Sequence, residues 1–170
     1  MIGIVGVSAM DHVFTPVEFP EAVYAVQRHE GVNNAITANG GTTEILGTGT
    51  DHSEALNIMV QYLLGHPETK AVIGLGSTPT SVAVKAVEEA GMDIPVGGYD
   101  ITPEILDNIA NGSLTATVDQ QPYHQGFMSV TMLAQYLKYG LLPADMNTGG
   151  TGLVDKTNVE SAFKWAGITR

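Results

Sequence analysis

Short apolar segments alternate with longer amphipathic segments along most of the chain. The short segments are rich in Val, Ile, Leu and Thr and are bounded by Gly, Pro or Asp, as is typical of β-strands. The longer segments repeat their apolar residues at helical spacing. Five strand–helix repeats predict an α/β fold whose open, mostly parallel sheet has helices on both faces. The predicted strands are Ile2–Val7, His12–Thr15, Glu44–Thr48, Ala71–Leu75, Val96–Tyr99 and Leu114–Val118.

The predicted helices begin at one of two signals, a capping box or an N-cap hydroxyl followed by proline. The capping boxes are Asp51 with Glu54 and Thr157 with Glu160, and the proline signals are Thr78-Pro79 and Thr102-Pro103. Glycine is expected to end three of these helices, because it tolerates the left-handed conformation that follows a last helical turn. The three glycines are Gly65, Gly91 and Gly112.

The helix predicted from Tyr123 to Tyr139 is apolar around most of its circumference, whereas the surface helix of a monomer has a polar face. The pattern therefore predicts two partners for this helix. One arrangement is a homodimer through residues 123–139. In the alternative, the helix folds back over its own sheet and Leu153–Trp165 covers its other face.

Residues 1–11 form an atypical join. Only Ser8–Asp11 separate the first two predicted strands, whereas a parallel crossover needs about a dozen residues or more. Either Ile2–Val7 is not a parallel neighbour of His12–Thr15, or a segment between them is missing.

The composition is typical of a globular protein, with 44% hydrophobic and 15% charged residues. A length of 170 residues fits one domain, so residues 1–170 are expected to form a single α/β domain. No apolar run approaches the roughly 20 residues that cross a bilayer, and no signal peptide is recognisable. The net charge of −11 disfavours nucleic-acid binding, and the absence of cysteine excludes thiol chemistry.

The candidate ligand-binding residues lie in the turns that follow the strands, because open α/β sheets bind ligands at the carboxyl ends of their strands. These turns carry hydroxyls, amides and carboxylates but no basic side chain. Such a mixture suits a neutral sugar or polyol better than a phosphate. The candidate ligand-binding residues from these turns are Glu18, Thr50, Ser77, Asp100 and Gln120.

Two alternatives stay open for these residues. Thr50 and Ser77 lie where helix N-caps are expected and would then have only a structural role. Asp100 ends a predicted strand, where we expect a solvent-facing carboxylate with no evident local duty. Arg28 is a further candidate for ligand contact, and otherwise pairs with an acid or caps a helix.

Neither a metal site nor a nucleotide motif is predicted. The histidines His29, His52, His66 and His124 lie on different elements, and no pair has metal-ligand spacing. Gly74-Leu75-Gly76 lacks the third glycine of a dinucleotide fingerprint, because Pro79 stands in its place. No catalytic triad is recognisable, so the sequence predicts neither a cofactor nor an enzyme.

Several stretches match one known family in order and spacing from about Val13 to Val159. They are Arg28–Gly31, which would open a helix, Leu64–Pro67, Ala90–Gly91, Pro95–Asp100, Thr117–Pro122 with Gly126, and Leu153–Val159. In these stretches the chain resembles the type I periplasmic sugar-binding proteins of ABC transporters, the ribose-binding-protein-like group.

The resemblance implies a bilobed protein that closes on a sugar outside the cytoplasm and delivers it to an ABC permease. This chain resembles the carboxyl-terminal lobe, and residues 123–170 resemble the segment that returns to the other lobe and the tail. Asp100 resembles the family's sugar-binding carboxylate and Gln120 its hinge glutamine, while Arg28 lies in a segment that often contributes a ligand-binding arginine. Gly76-Ser77 departs from the Asn-Asp pair of many relatives, which removes one expected sugar contact.

Two functions are therefore compared. The first is non-enzymatic, weak binding of a sugar or polyol by one lobe of a solute-binding protein, truncated or occurring as a half-protein. The alternative is a self-sufficient flavodoxin-like domain, an enzyme or a binder of a nucleotide or flavin.

Overall fold

The computed structural model describes residues 12–142 and 152–170, in which strands and helices alternate. The predicted strand Ile2–Val7 and the join Ser8–Asp11 lie outside the described residues. Within the described part, no helix combines the length and apolarity needed to span a bilayer. In chain order the elements are β1 (His12–Val17), α1 (Val23–Thr37), β2 (Thr42–Gly47), α2 (His52–Gly65), β3 (Ala71–Ile73), α3 (Ser77–Glu89), β4 (Val96–Tyr99), α4 (Pro103–Asn111), β5 (Ala116–Val118), α5 (Pro122–Tyr139), β6 (Leu153–Asp155) and α6 (Val159–Trp165).

The strands form one sheet in the order β2-β1-β3-β4-β5-β6. The first five strands are parallel, and β6 pairs antiparallel with β5 through Ala116 and Asp155. This arrangement confirms the expected mostly parallel sheet. Sequence periodicity did not identify the three-residue strand β6.

Helices cover both faces of the sheet, as expected, but unevenly. The larger core lies between the sheet and α2, α3, α4 and α6, with Phe14, Met59 and Ile105 among its fully buried side chains. On the opposite face α1 is the one helix among residues 12–142 and 152–170 that packs, against Val13 and Val17.

Two of the predicted helix starts are confirmed by their capping geometry. The Asp51 carboxylate accepts a hydrogen bond from the Glu54 amide at 2.8 Å, which satisfies an amide that would otherwise have no partner in the first turn of α2. The Thr102 hydroxyl accepts one from the Ile105 amide, and Pro103 is the first residue of α4. The same helix ends at Gly112, whose φ of +91° favours glycine.

Three local expectations are wrong. α3 begins at Ser77 rather than after Thr78, so the Thr78 hydroxyl is not its cap. α6 begins at Val159, and the Thr157 hydroxyl donates to Asp155 instead of capping the helix. Arg28 does not open a helix, since α1 starts at Val23. At α3 the distant Glu18 carboxylate accepts from the Thr78 amide, and at α6 the nearby Asp155 binds the Thr157 hydroxyl, so a suitable residue type did not by itself set the helix start.

α5 has no buried residue along its 18 positions. Its apolar side chains include Val130 and Leu137, which are 69% and 73% exposed. The helix therefore does not fold back to bury a face on its own sheet. Its surroundings within the described residues provide neither of the two partners that its pattern predicts.

Candidate functional site

The carboxyl ends of β1, β3, β4 and β5 meet at one edge of the sheet because these strands are parallel. Glu18 follows β1 directly, Asp100 follows β4, and Gln120 lies two residues after β5. α1 passes over this edge and contributes Arg28. The fold thus brings together four of the six candidate residues.

Arg28 is the centre of a hydrogen-bonded chain across the edge. Its Nη1 donates to the Leu75 carbonyl at 2.6 Å, and its Nη2 donates to Gln120 Oε1 at 2.6 Å. Gln120 Nε2 in turn donates to Asp100 Oδ1. The chain links α1 to the ends of three strands, so the guanidinium and the Asp100 carboxylate are held in fixed relative positions.

Two tyrosine rings flank the Arg28 guanidinium. Its central carbon lies 4.8 Å from the Tyr24 ring centroid and 4.4 Å from that of Tyr99, within the range of cation–π attraction. Sequence reasoning missed both tyrosines. Two signals were present: Tyr24 precedes Arg28 by one helical turn, and Tyr99 adjoins Asp100.

Glu18 is a buried carboxylate that joins β1 to α3. Its Oε1 accepts from the Thr78 amide at 3.0 Å, and its Oε2 accepts from the Tyr24 hydroxyl at 3.1 Å. The first turn of a helix favours an anion, because its unpaired amides point outward. Burial, with a further contribution from the Glu18 charge, raises the pKa of Tyr24 to about 12, so the hydroxyl stays protonated and donates.

Position 76 is a glycine because the Glu18 side chain leaves no room there for a Cβ atom. A Cβ placed there would overlap the Glu18 carboxylate group. The Gly76 φ of −161° is extended backbone that any residue adopts, so the requirement is not conformational. The Glu18 side chain therefore occupies the volume that a side chain at position 76 would fill.

Asp100 adopts a left-handed conformation, with φ of +75°. Its carboxylate is half-buried rather than solvent-facing, which corrects the expectation from sequence. Burial raises the pKa of this carboxyl group, and the hydrogen bond from Gln120 and the charge of Arg28 oppose the rise. The carboxylate is thus held in a strained, partly desolvated position, a pattern that is common at binding sites.

The two remaining candidates lie outside this network. Ser77 is the half-buried first residue of α3, beside the Thr78 amide that binds Glu18. Thr50 is exposed in the turn after the edge strand β2, where Asp51 does the capping. That turn approaches the site through its backbone, since the Gly49 amide donates to the Glu18 carbonyl at 3.1 Å.

A buried ion pair supports the end of β5. Asp119 is fully buried and accepts from Arg170 Nε at 2.7 Å and from the Gln121 amide at 2.8 Å. The pair fixes the backbone on both sides of Gln120. The ion pair thus holds Asp119, the residue directly before Gln120, in place.

The chain matches the family model described as "Periplasmic binding protein domain" over residues 9–141. Over 143 residues it is 29% identical to the xylose/arabinose-binding protein XylF of Sulfolobus acidocaldarius, covering 78% of this chain and 35% of that protein. Over 118 residues it is 30% identical to the ribose import binding protein RbsB of Escherichia coli, covering 67% and 39%.

A solved structure of similar fold is a carbohydrate transporter from Acidothermus cellulolyticus in complex with myo-inositol. Its TM-score is 0.77 at 28% identity, over 92% of this chain and 55% of that chain. The chain thus spans between a third and two fifths of the curated relatives above and about half of this structure.

We expect Gly76→Ala to lower the free energy of unfolding by about 1–3 kcal/mol, the usual cost of forcing a side chain into filled space. In a Glu18→Ala background the same substitution should cost almost nothing, because the carboxylate no longer occupies that space. Urea denaturation of the four proteins in this double-mutant cycle measures the coupling.

Gly31→Ala serves as the matched glycine control, because a Cβ there meets no atom within 4 Å. This helix-interior substitution should raise stability by about 0.5–1 kcal/mol. Equal costs for Gly76→Ala in both backgrounds would contradict the close approach of Glu18 to Gly76.

We expect Asp100→Asn to stabilise the protein more at pH 7 than at pH 4. Because the folded-state pKa of Asp100 is raised, its contribution to stability is greatest when the carboxyl is protonated and is lost as pH rises through that pKa. Asparagine removes the charge and tolerates the left-handed backbone. Urea denaturation at both pH values measures the difference between variant and parent.

Asp155→Asn provides a control of opposite sign. Hydrogen bonds from the Thr157 side chain and amide lower the pKa of Asp155, so its stabilising contribution is present at pH 7 and is lost on acidification. Its replacement should therefore be more damaging at pH 7 than at pH 4. The same pH trend in both variants would refute the assignment for Asp100.

Proposed function

This chain belongs to the periplasmic binding protein family, and we propose that it binds a small neutral sugar or polyol at the edge formed by Arg28, Asp100 and Gln120. Binding is non-enzymatic. The observation that carries the proposal is the hydrogen-bonded chain from Arg28 through Gln120 to Asp100. It holds the Arg28 guanidinium, a charged donor, and the Asp100 carboxylate, an acceptor, in fixed positions on either side of the Gln120 amide.

The chemistry of these groups matches vicinal hydroxyls. A hydroxyl both donates and accepts, so one hydroxyl of a ligand can donate to the second carboxylate oxygen of Asp100 while a neighbour accepts from Arg28. Hydrogen bonds to charged partners are stronger than neutral ones. Because the groups are already fixed by Tyr24, Tyr99 and Gln120, little ordering cost remains for binding.

The electrostatics of the edge favour a neutral ligand over a phosphate. Nucleotide-binding α/β proteins place phosphate at a helix N-terminus that follows a strand. Here the Glu18 carboxylate already accepts from the Thr78 amide at the start of α3. An anionic group would meet this buried charge. The flavodoxin-like alternative with a nucleotide or flavin is therefore not favoured.

We propose that the whole chain is one lobe of a solute-binding protein and that its parent acts outside the cytoplasm with an ABC permease. The names of two relatives, "ribose import binding protein" and "xylose/arabinose-binding protein", support a sugar as the ligand. Ser77 and Thr50, which follow β3 and β2, are proposed as further ligand contacts on this edge.

For the 170-residue chain alone we expect millimolar affinity. The site supplies contacts from one side only, and losing about half of the roughly 8 kcal/mol behind micromolar binding gives a dissociation constant near 1 mM. The measurement is an NMR titration of ¹⁵N-labelled protein with D-ribose, D-xylose, L-arabinose and myo-inositol. Shift changes should concentrate around Arg28 and Asp100.

Two variants make this titration specific. Arg28→Gln should abolish the sugar-dependent shifts, whereas Lys85→Gln should not, because Lys85 is an exposed residue that pairs with Glu89 on α3. Micromolar affinity would refute the one-sided site. Shifts that survive Arg28→Gln would refute this location, and binding of FMN or AMP instead of sugars would favour the alternative function.

We further propose that the chain self-associates through α5. The helix exposes apolar side chains along its length, among them Phe127, Val130 and Leu133. The sheet face beside α1 carries an open, largely apolar groove of about 650 Å³, bordered by Val32 and, at one end, by Arg28 of the ligand edge. A second copy that places α5 over the apolar part of this groove, beside Val32, would remove both apolar surfaces from water.

Sedimentation equilibrium at about 100 μM should detect a dimer, since association depends on protein concentration. The double substitution Val130→Glu with Leu137→Glu should give a monomer, because each charge would be buried without a partner. Gln135→Glu is the control on the same helix, at an exposed polar position. A strictly monomeric parent chain at this concentration would refute the dimer.

A further inference from the structure

A cluster of possible metal ligands lies at the opposite end of the sheet from the sugar site. His12 begins β1, Glu44 lies in β2, and His66 follows α2. One ligand atom of each residue lies within 4.8 Å of the others. We propose that these three side chains form a binding site for a divalent transition-metal ion, with Zn²⁺ as the matching ion. This site is separate from the proposed function.

The pairing of β1 with β2 brings the first two ligands to one face. His12 pairs with Thr42 and Phe14 with Glu44 in the parallel register. Because alternate residues of a strand share a face, His12 and Phe14 point to the same side. α2 packs on that side, and the end of this helix supplies His66.

Stacked rings hold the cluster in place. The Tyr62 ring stacks on Phe14 with centroids 3.9 Å apart, and His66 stacks on Tyr62 at 4.2 Å. Tyr62 and His66 are four residues apart, so one helical turn brings the two rings together. Because Phe14 is fully buried, it restricts the Tyr62 ring that stacks on it and, through Tyr62, the imidazole of His66.

Outer hydrogen bonds orient two of the ligands. His66 Nδ1 pairs with Glu68 Oε1 at 2.9 Å, which leaves Nε2 for a metal. A carboxylate on the far nitrogen is the usual arrangement for a metal-bound histidine, because it fixes the tautomer and the ring orientation. Glu44 Oε2 accepts from the Tyr62 hydroxyl at 3.0 Å, which leaves its Oε1 for the metal.

His12 must exchange one hydrogen bond for the metal bond. Its Nε2 lies 2.8 Å from the Tyr62 hydroxyl and its Nδ1 lies 3.2 Å from the Thr42 hydroxyl. A metal–nitrogen bond replaces the hydrogen bond that is given up. Glu44 is exposed and the two histidines are only partly buried, so their side chains have room to rotate and to bring the ligand atoms to the roughly 3.4 Å that zinc bonds of about 2.0–2.2 Å require.

The ligand set selects the ion. Two imidazoles and a carboxylate suit Zn²⁺, whereas Mg²⁺ and Ca²⁺ prefer oxygen ligands. Three protein ligands leave a fourth position for water. The bound ion would join β1, β2 and α2 at the amino edge of the sheet. The sugar edge lies beyond the other end of the six-residue β1, about 20 Å away at 3.3 Å per residue.

Isothermal titration calorimetry of the untagged, EDTA-dialysed chain with ZnCl₂ tests the site. We expect one Zn²⁺ per chain and no binding of Mg²⁺. His66→Ala should weaken Zn²⁺ binding by more than about 100-fold, and Glu68→Gln by about 10–100-fold, because Glu68 only orients a ligand. Tetrahedral Co²⁺ absorption that zinc removes would provide a second, spectroscopic readout.

His52→Ala and His124→Ala are the matched controls, since both histidines lie on helices outside the cluster. These variants should bind Zn²⁺ as the parent does. Circular dichroism verifies that each variant is folded, and Glu44→Gln tests the carboxylate ligand with less disturbance of Tyr62. No Zn²⁺ binding by the parent chain, or binding that His66→Ala leaves unchanged, overturns the proposal.

Discussion

The carboxylate of Glu18 is the interaction on which the ligand edge depends. An ionised group out of water must be fully hydrogen-bonded, or its burial costs several kcal/mol. The Thr78 amide and the Tyr24 hydroxyl meet this requirement. One side chain directly after β1 therefore fixes the start of α3 and a residue of α1, and it occupies the space that a side chain at position 76 would need.

The position of Arg28 follows from the same constraint. Tyr24 is held by Glu18, and its ring forms one side of the space that the guanidinium occupies. With Tyr99 on the other side, the guanidinium points to the Leu75 carbonyl and to Gln120. A charged donor that is already oriented loses little freedom when a ligand arrives, which favours recognition of hydroxyl groups with defined geometry.

The two ends of β1 contribute to two different polar clusters. The strand begins at a histidine and ends next to Glu18, so a single element contributes to both polar clusters. Between the ends its side chains are buried, with Val13 and Phe14 on opposite faces. The apolar middle separates the two clusters, and each therefore has its own chemistry: oxygen and guanidinium groups at one end, imidazoles at the other.

The sequence by itself determined the alternation of strands and helices, the caps at Asp51 and Thr102, and the strand ends that carry Asp100 and Gln120, because these features depend on neighbours a few residues apart. Only the tertiary structure decided that Glu18 replaces a hydroxyl cap at α3, that two tyrosines enclose Arg28, and that His12 meets His66. These contacts join residues that are mostly far apart in the chain, so the local spacing of apolar residues does not predict them. The expected caps Thr78 and Thr157 were wrong because other contacts take their place: the Glu18 carboxylate accepts from the Thr78 amide, and the Thr157 hydroxyl donates to Asp155.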